Sequence, residues 1–140
     1  MSKSIQKISD ERMLDIAAKA ASIAKGNKVS KTQINKLLSI LETVGDERSS
    51  LLILIAYINR QVSRRRERRD RERRDKEGID KQTGRILSSF LLEMYNNNMT
   101  RKDARKFLGM LKWLFESIEG EYSPKPVNNY KEFVSTFFCR

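Results

Sequence analysis

From Ser63 through Gly78 the chain carries no apolar residue, and the twelve residues from Arg64 to Asp75 hold eight arginines and four acids. Immediately before this stretch, Leu51 to Ile58 is apolar at every position. No glycine or proline interrupts the chain between Gly45 and Gly78. The pattern predicts one helix over about 47–77, about 46 Å long at ~1.5 Å per residue. Its first half, apolar all round, suits a helix buried in the middle of a bundle, with a buried strand as the competing reading. Its second half cannot enter a core and must project into water or lie against something charged. The rest of the core has to come from the other segments.

Those segments repeat a helical period. Met13, Ile16, Ala17, Ala20, Ile23 and Ala24 follow the start signal Ser9-Asp10-Glu11 and stop at Gly26-Asn27, which predicts a helix over 10–25. Ser30 caps a second helix, 31–44, with the stripe Ile34, Leu37, Leu38, Leu41 and Val44, closed by Gly45. Ile86, Leu87, Phe90, Leu91, Met94 and Tyr95 mark a helix over 82–96 that ends at Asn96-Asn97-Asn98, since asparagine tolerates the left-handed turn. Thr100 caps a helix over 100–119, whose stripe runs Ala104, Phe107, Leu108, Leu111, Leu114, Phe115 and Ile118. Trp113 borders that stripe and is expected in the core. Ser123-Pro124-Lys125-Pro126 is a linker to a short terminal helix, 127–138, rich in aromatics that should dock on the body or on a partner. The fold class expected is all-α: a single-domain bundle of five to six helices with one long, partly exposed, arginine-rich helix.

Basic residues outnumber acidic ones 29 to 18, a net charge of +11, while 39% of residues are hydrophobic. That balance describes a folded domain with a basic surface rather than a disordered tail. Leu51 to Ile58 is the longest apolar run and falls well short of the ~20 residues that span a bilayer, and the N-terminal residues lack a signal-peptide pattern. With Cys139 as its single cysteine the chain forms no internal disulfide. A soluble, cytoplasmic protein without a membrane association is expected.

Enzymatic readings find little support. The sequence has no histidine, the usual general base near neutral pH and the commonest metal ligand, and neither a Gly-rich phosphate loop nor a dinucleotide-binding glycine pattern occurs. No catalytic residue, metal or cofactor is therefore assigned. Glu67, Asp70, Glu72 and Asp75 sit among arginines, where ion pairing is the simpler role.

The arginine run supports two readings. Glu67 with Arg71 and Asp70 with Arg74 are i,i+4 pairs in the favourable orientation, each contributing ~0.2 to 0.5 kcal/mol to a self-supporting solvated helix. Alternatively the surplus guanidiniums bind phosphate, which their planar fork matches. Basic residues off the apolar stripes, Lys31, Lys36, Arg101, Lys102, Arg105 and Lys106, extend the second reading, because backbone binding needs only positive charge along a track. The candidate nucleic-acid contacts are Lys36, Arg60, Arg64, Arg65, Arg68, Arg101, Lys102 and Arg105, with the junction from Arg60 to Arg68 favoured. Tyr57 and Trp113 are the aromatics that could stack on bases, with the core the favoured place for Trp113. No zinc finger, leucine zipper or RNA-recognition aromatic motif suggests sequence-specific reading.

Thr32-Gln33-Ile34-Asn35-Lys36, then Leu54-Ile55-Ala56-Tyr57-Ile58-Asn59-Arg60, then Arg105-Lys106-Phe107-Leu108 through Leu114-Phe115-Glu116 occur in an order that resembles the small α-helical subunit of the type III-A (Csm) CRISPR-Cas effector complex. The likeness covers most of residues 30–118 and is one of order and character more than of identity. Asn35 stands where that family tends to have arginine, and the charged run is longer. The resemblance implies a non-catalytic subunit, present in several copies, that lies along guide RNA and target RNA, contacts their backbone without reading sequence, and joins other effector-complex subunits. A small archaeal or viral DNA-binding protein, or a protein-protein assembly factor with an exposed charged helix, are the alternatives.

Overall fold

The computed structural model describes residues 8–69, 78–118 and 125–138, with side chains through Arg65 and again from Gly78. Among the described residues the chain is entirely helical: α1 (Asp10–Gly26), α2 (Lys31–Thr43), α3 (Ser49–Arg69), α4 (Lys81–Asn96), α5 (Arg101–Ser117) and α6 (Tyr130–Phe137). Together they form a single-domain bundle. None of these helices is long and apolar enough to cross a membrane.

Each start is set by a local cap, which satisfies backbone N–H groups that have no partner within the helix. The Ser9 hydroxyl accepts from the Arg12 amide at 3.1 Å, Ser30 from Gln33 at 3.0 Å, and Asn129 from Glu132 at 2.8 Å. The Asp80 carboxylate accepts from Thr83 at 2.9 Å. At α5 the carboxylate of Asp103 reaches back to the Thr100 amide at 3.0 Å. Asp46 opens α3 by accepting from the amides of Arg48 and Ser49 at 3.0 and 2.7 Å.

α1 and α5 form the centre of the bundle, with α4 and α6 also against α1 and with α2 against α5. The buried face of α1 is built from small residues, Ala17, Ala18, Ala20, Ala21 and Ala24, which let the larger side chains of α5 approach its backbone closely. Phe107 of α5 meets Phe90 of α4 with ring centroids 4.8 Å apart, a tilted pairing that suits the ring quadrupoles. α2 and α5 run antiparallel, linked at one end by Lys31 to Glu116 (3.6 Å) and towards the other by Arg105 to Glu42. The terminal helix is shorter than expected, 130–137. It packs on α1 through the buried Phe133, and the Val127 amide before it donates to the buried Ser22 hydroxyl at 3.0 Å.

Two expectations are corrected, and one runs beyond the described residues. First, α3 is a peripheral helix. Leu51, Leu54 and Ile58 are buried, but Leu52 and Ile53 are 39% and 38% exposed, so an apolar composition on all sides does not here mean burial on all sides. Second, the long helix is described only to Arg69, and residues 70–77 lie outside the described residues. The Ile79 amide donates to the Gln61 carbonyl at 3.2 Å, so the chain resumes beside the middle of α3. Third, Trp113 is not in the core but is 72% exposed.

Candidate nucleic-acid interface

α2 packs between α3 and α5, so the candidate cations of these three helices belong to one layer. Their side chains nevertheless have different fates, decided by helical phase. Lys36 on α2, Arg60 on α3 and Lys102 on α5 point outward and are exposed. Arg64 is half-buried and donates to the Gln61 side-chain oxygen at 3.3 Å. Arg68 lies in the last turn of α3, with its side chain outside the described residues.

Arg101 is an internal bracket. Only 15% of its side chain is exposed. Its Nε donates to the Leu41 carbonyl at 2.9 Å, and Nη2 donates to the carbonyls of Val44, at 3.0 Å, and Gly45. Those oxygens belong to the end of α2, where carbonyls lack partners within the helix; a cation there also complements the helix dipole. The backbone amide of Arg101 donates to the Glu47 carbonyl at 2.8 Å, and Nη1 lies 3.3 Å from the Glu47 carboxylate. One residue thus joins α2, the α2–α3 turn and α5.

Arg65 is similarly committed, with 17% of its side chain exposed. Nη2 donates to the Asn27 carbonyl at the end of α1, and Nη1 stands 3.9 Å from the carboxylate of Asp80, the α4 cap. Burial pulls the guanidinium below its ordinary pKa, and the charge of Asp80 partly opposes that. Asp80 also accepts from the Asn27 side-chain amide at 2.8 Å, so α1, α3 and α4 meet at this cluster.

Arg105 faces outward but is held by Glu42 in a two-point contact, one arm of which, Nη2 to Oε1, is 2.9 Å. The hydrogen bond from Arg105 holds the Glu42 carboxyl below its usual range, and Glu42 in turn raises the Arg105 pKa. Lys106 reaches Asp10 of α1 at 2.8 Å. With Glu42, Glu47 and Glu116 each engaged by a cation, Lys36, Lys102 and Lys112 pair with no carboxylate among the described residues.

The aromatics diverge too. The Tyr57 hydroxyl accepts from the Gln33 side-chain amide at 3.3 Å, which ties it to α2, and the residue is half-buried. Trp113 stands outward. Among the described residues no cluster of three or more acids and cysteines is arranged to hold a metal ion.

The favoured junction from Arg60 to Arg68 therefore divides into an outward Arg60, a half-buried Arg64 and a structural Arg65, with the side chains of Arg66 and Arg68 outside the described residues, and the exposed cations are spread over α2, α3 and α5. No signal in the sequence separates Arg101 from its neighbour Lys102, because partner carbonyls some 60 residues away decide the difference. Lys112 was missed, although its place one residue before an outward-facing tryptophan becomes meaningful once the phase of α5 is known. Comparison with known proteins matches no family model, no curated protein and no solved structure.

Proposed function

We propose that this chain is a non-catalytic scaffold that holds RNA by its phosphate backbone, without reading sequence, on the outer side of the α2–α3–α5 layer. The observation that carries this reading is the sorting of charge on that layer. Glu116, Glu47 and Glu42 are engaged by Lys31, Arg101 and Arg105, while Lys36, Lys102 and Lys112 keep a positive charge with no carboxylate partner among the described residues. Arg60 adds an exposed guanidinium on the neighbouring helix. A surface of this kind has phosphate as its natural counter-ion, and the net +11 of the chain strengthens attraction at a distance.

Work within a ribonucleoprotein effector complex, beside larger subunits and copies of the same chain, is the specific form of this proposal, and it rests on the resemblance to the type III-A small subunit. The exposed Leu52, Ile53 and Leu92 favour protein neighbours on the side of α3 and α4, as an assembly subunit requires.

Binding of guide-length RNA across a salt series tests the reading. Four backbone contacts predict affinity falling roughly 10²-fold between 50 and 200 mM salt. Lys36→Gln, Arg60→Gln and Lys102→Gln should each weaken binding and flatten that slope by about one contact. Absence of binding at low salt, or binding indifferent to salt, would remove the proposal.

A further inference from the structure

We infer that the outer face of α5 is a stacking platform for an unpaired stretch of RNA, with Trp113 as the base-stacking residue and Gly109 as the open floor beside it. This rests on the RNA-binding reading and adds to it a preference for single strands.

Two independent features of α5 have no explanation among the described residues. Trp113 is 72% exposed, although an indole is among the most favourable side chains to bury. Gly109 lies in the middle of the helix, where glycine costs ~1 kcal/mol relative to alanine, yet a Cβ built there meets nothing within 4 Å. Elsewhere the helical glycine has a visible reason, since a Cβ on Gly84 would collide with Val62. At Gly109 the space is open, so none of the described residues requires glycine there.

The two positions are one turn apart on the same stripe. Residues 102, 106, 109 and 113 recur at three- and four-residue spacing and therefore share a face, turned away from the buried Ala104, Phe107, Leu108, Leu111 and Phe115. Lys102 heads this stripe, followed by Lys106, which is paired with Asp10, and Lys112 flanks the indole, so the phosphate contacts fall to Lys102 and Lys112. The distance from residue 102 to 113 is ~16 Å along the axis, so cations lie at both ends of an aromatic surface with a side-chain-free step between.

The charge selects the occupant. A second copy would bring lysines against lysines in a two-fold contact, since such a contact repeats the same patch on both partners. RNA supplies phosphates for the lysines and a flat ring for the indole, and base-aromatic stacking is tolerant of sequence. Bases inside a duplex offer no free ring face, whereas those of a single strand do.

Trp113 is the one tryptophan of the chain, so its emission reports on this face directly. Titration at low salt with a short oligouridylate, an RNA duplex of equal length and polyglutamate provides the test, with Trp113→Ala, Trp113→Phe and Gly109→Leu measured alongside. The expected result is quenching by the single strand but not by the duplex, a loss of single-strand affinity of about tenfold or more in Trp113→Ala, and substantial recovery in Trp113→Phe. Gly109→Leu should also weaken single-strand binding, with thermal unfolding showing that it remains folded. If the oligouridylate binds while Trp113 emission and the Trp113→Ala affinity stay unchanged, the platform is overturned and backbone binding stands. If neither RNA binds, the underlying reading fails as well. If polyglutamate quenches Trp113 and competes as well as the oligouridylate, the face belongs to an acidic protein and the platform is again overturned.

Discussion

The Nε of Arg101, the first residue of α5, donates to the Leu41 carbonyl in the last turn of α2 at 2.9 Å. A charge that looks like surface in the sequence thus closes a helix end and fixes one side of the α2–α3–α5 layer. Arg101→Ala is expected to lower stability by about 2 to 3 kcal/mol, because it releases several hydrogen bonds from a charged donor and leaves carbonyls without partners. Lys102→Gln, one residue on, should leave stability within ~0.5 kcal/mol and weaken RNA binding. Urea unfolding beside RNA titration separates the two: Arg101→Ala should keep its RNA affinity under conditions in which it is fully folded.

Two glycine-to-alanine substitutions should change stability in opposite directions. At Gly84 the added methyl would collide with Val62 and force α3 and α4 apart, at a cost of about 1 to 3 kcal/mol. At Gly109 it meets open space, so Gly109→Ala should stabilise α5 by about 0.5 to 1 kcal/mol. Thermal melts of the two proteins check both signs.

The Asp46 carboxyl is held below its usual range by the Ser49 amide and hydroxyl and the Arg48 amide. A carboxyl whose folded pKa is depressed contributes stability above its unfolded pKa and loses it as the pH falls through the folded value. Asp46→Ala should therefore lower the melting temperature at neutral pH, and its gap to the unmodified chain should close as the pH drops below about 4. A gap that stays constant from pH 7 to pH 3 would refute this account of the α3 start.

Asp80 caps α4 and stands 3.9 Å from the half-buried Arg65 guanidinium. Its replacement by alanine removes the cap and leaves that guanidinium without its counter-charge, so Asp80→Ala should cost about 2 to 4 kcal/mol. Asp80→Asn, which keeps a capping oxygen, should recover part of the loss. Chemical denaturation of the two variants decides the matter.

The helix count and most helix starts could be read directly from the sequence because their causes are local. Ser9, Ser30 and Thr100 stand next to the helices they open, and the stripes of α1, α4 and α5 repeat within a few turns. What could not be read depends on distant partners or on phase. Leu51 to Ile58 offers no polar face to show which side turns inward, and only the packing of α2 and α4 leaves Leu52 and Ile53 exposed. Trp113 lies beside an apolar stripe, and a rotation of one residue around the helix moves it from core to solvent. For the candidate site, charge and position off the stripe pick out Lys36 and Lys102, the α3 junction picks out Arg60, and the structure leaves all three exposed. Arg65 and Arg101 matched the same rule, and only the three-dimensional structure shows that carbonyls of α1 and α2 hold them.

The hydrogen bond between Gln61 and Ile79 joins two residues eighteen apart in the sequence, and Gly78 packs against Gln61 and Arg65 at the same level. The junction leaves no room for a side chain at position 78, where an added Cβ would stand 2.5 Å from the Gln61 carbonyl and the backbone is left-handed. Chain length between two tied points is cheap to change, since each doubling costs only about 0.6 kcal/mol in closure entropy. The register of α3 against the start of α4 therefore depends on Gln61, Arg65, Gly78 and Asp80, and not on how many residues lie between them.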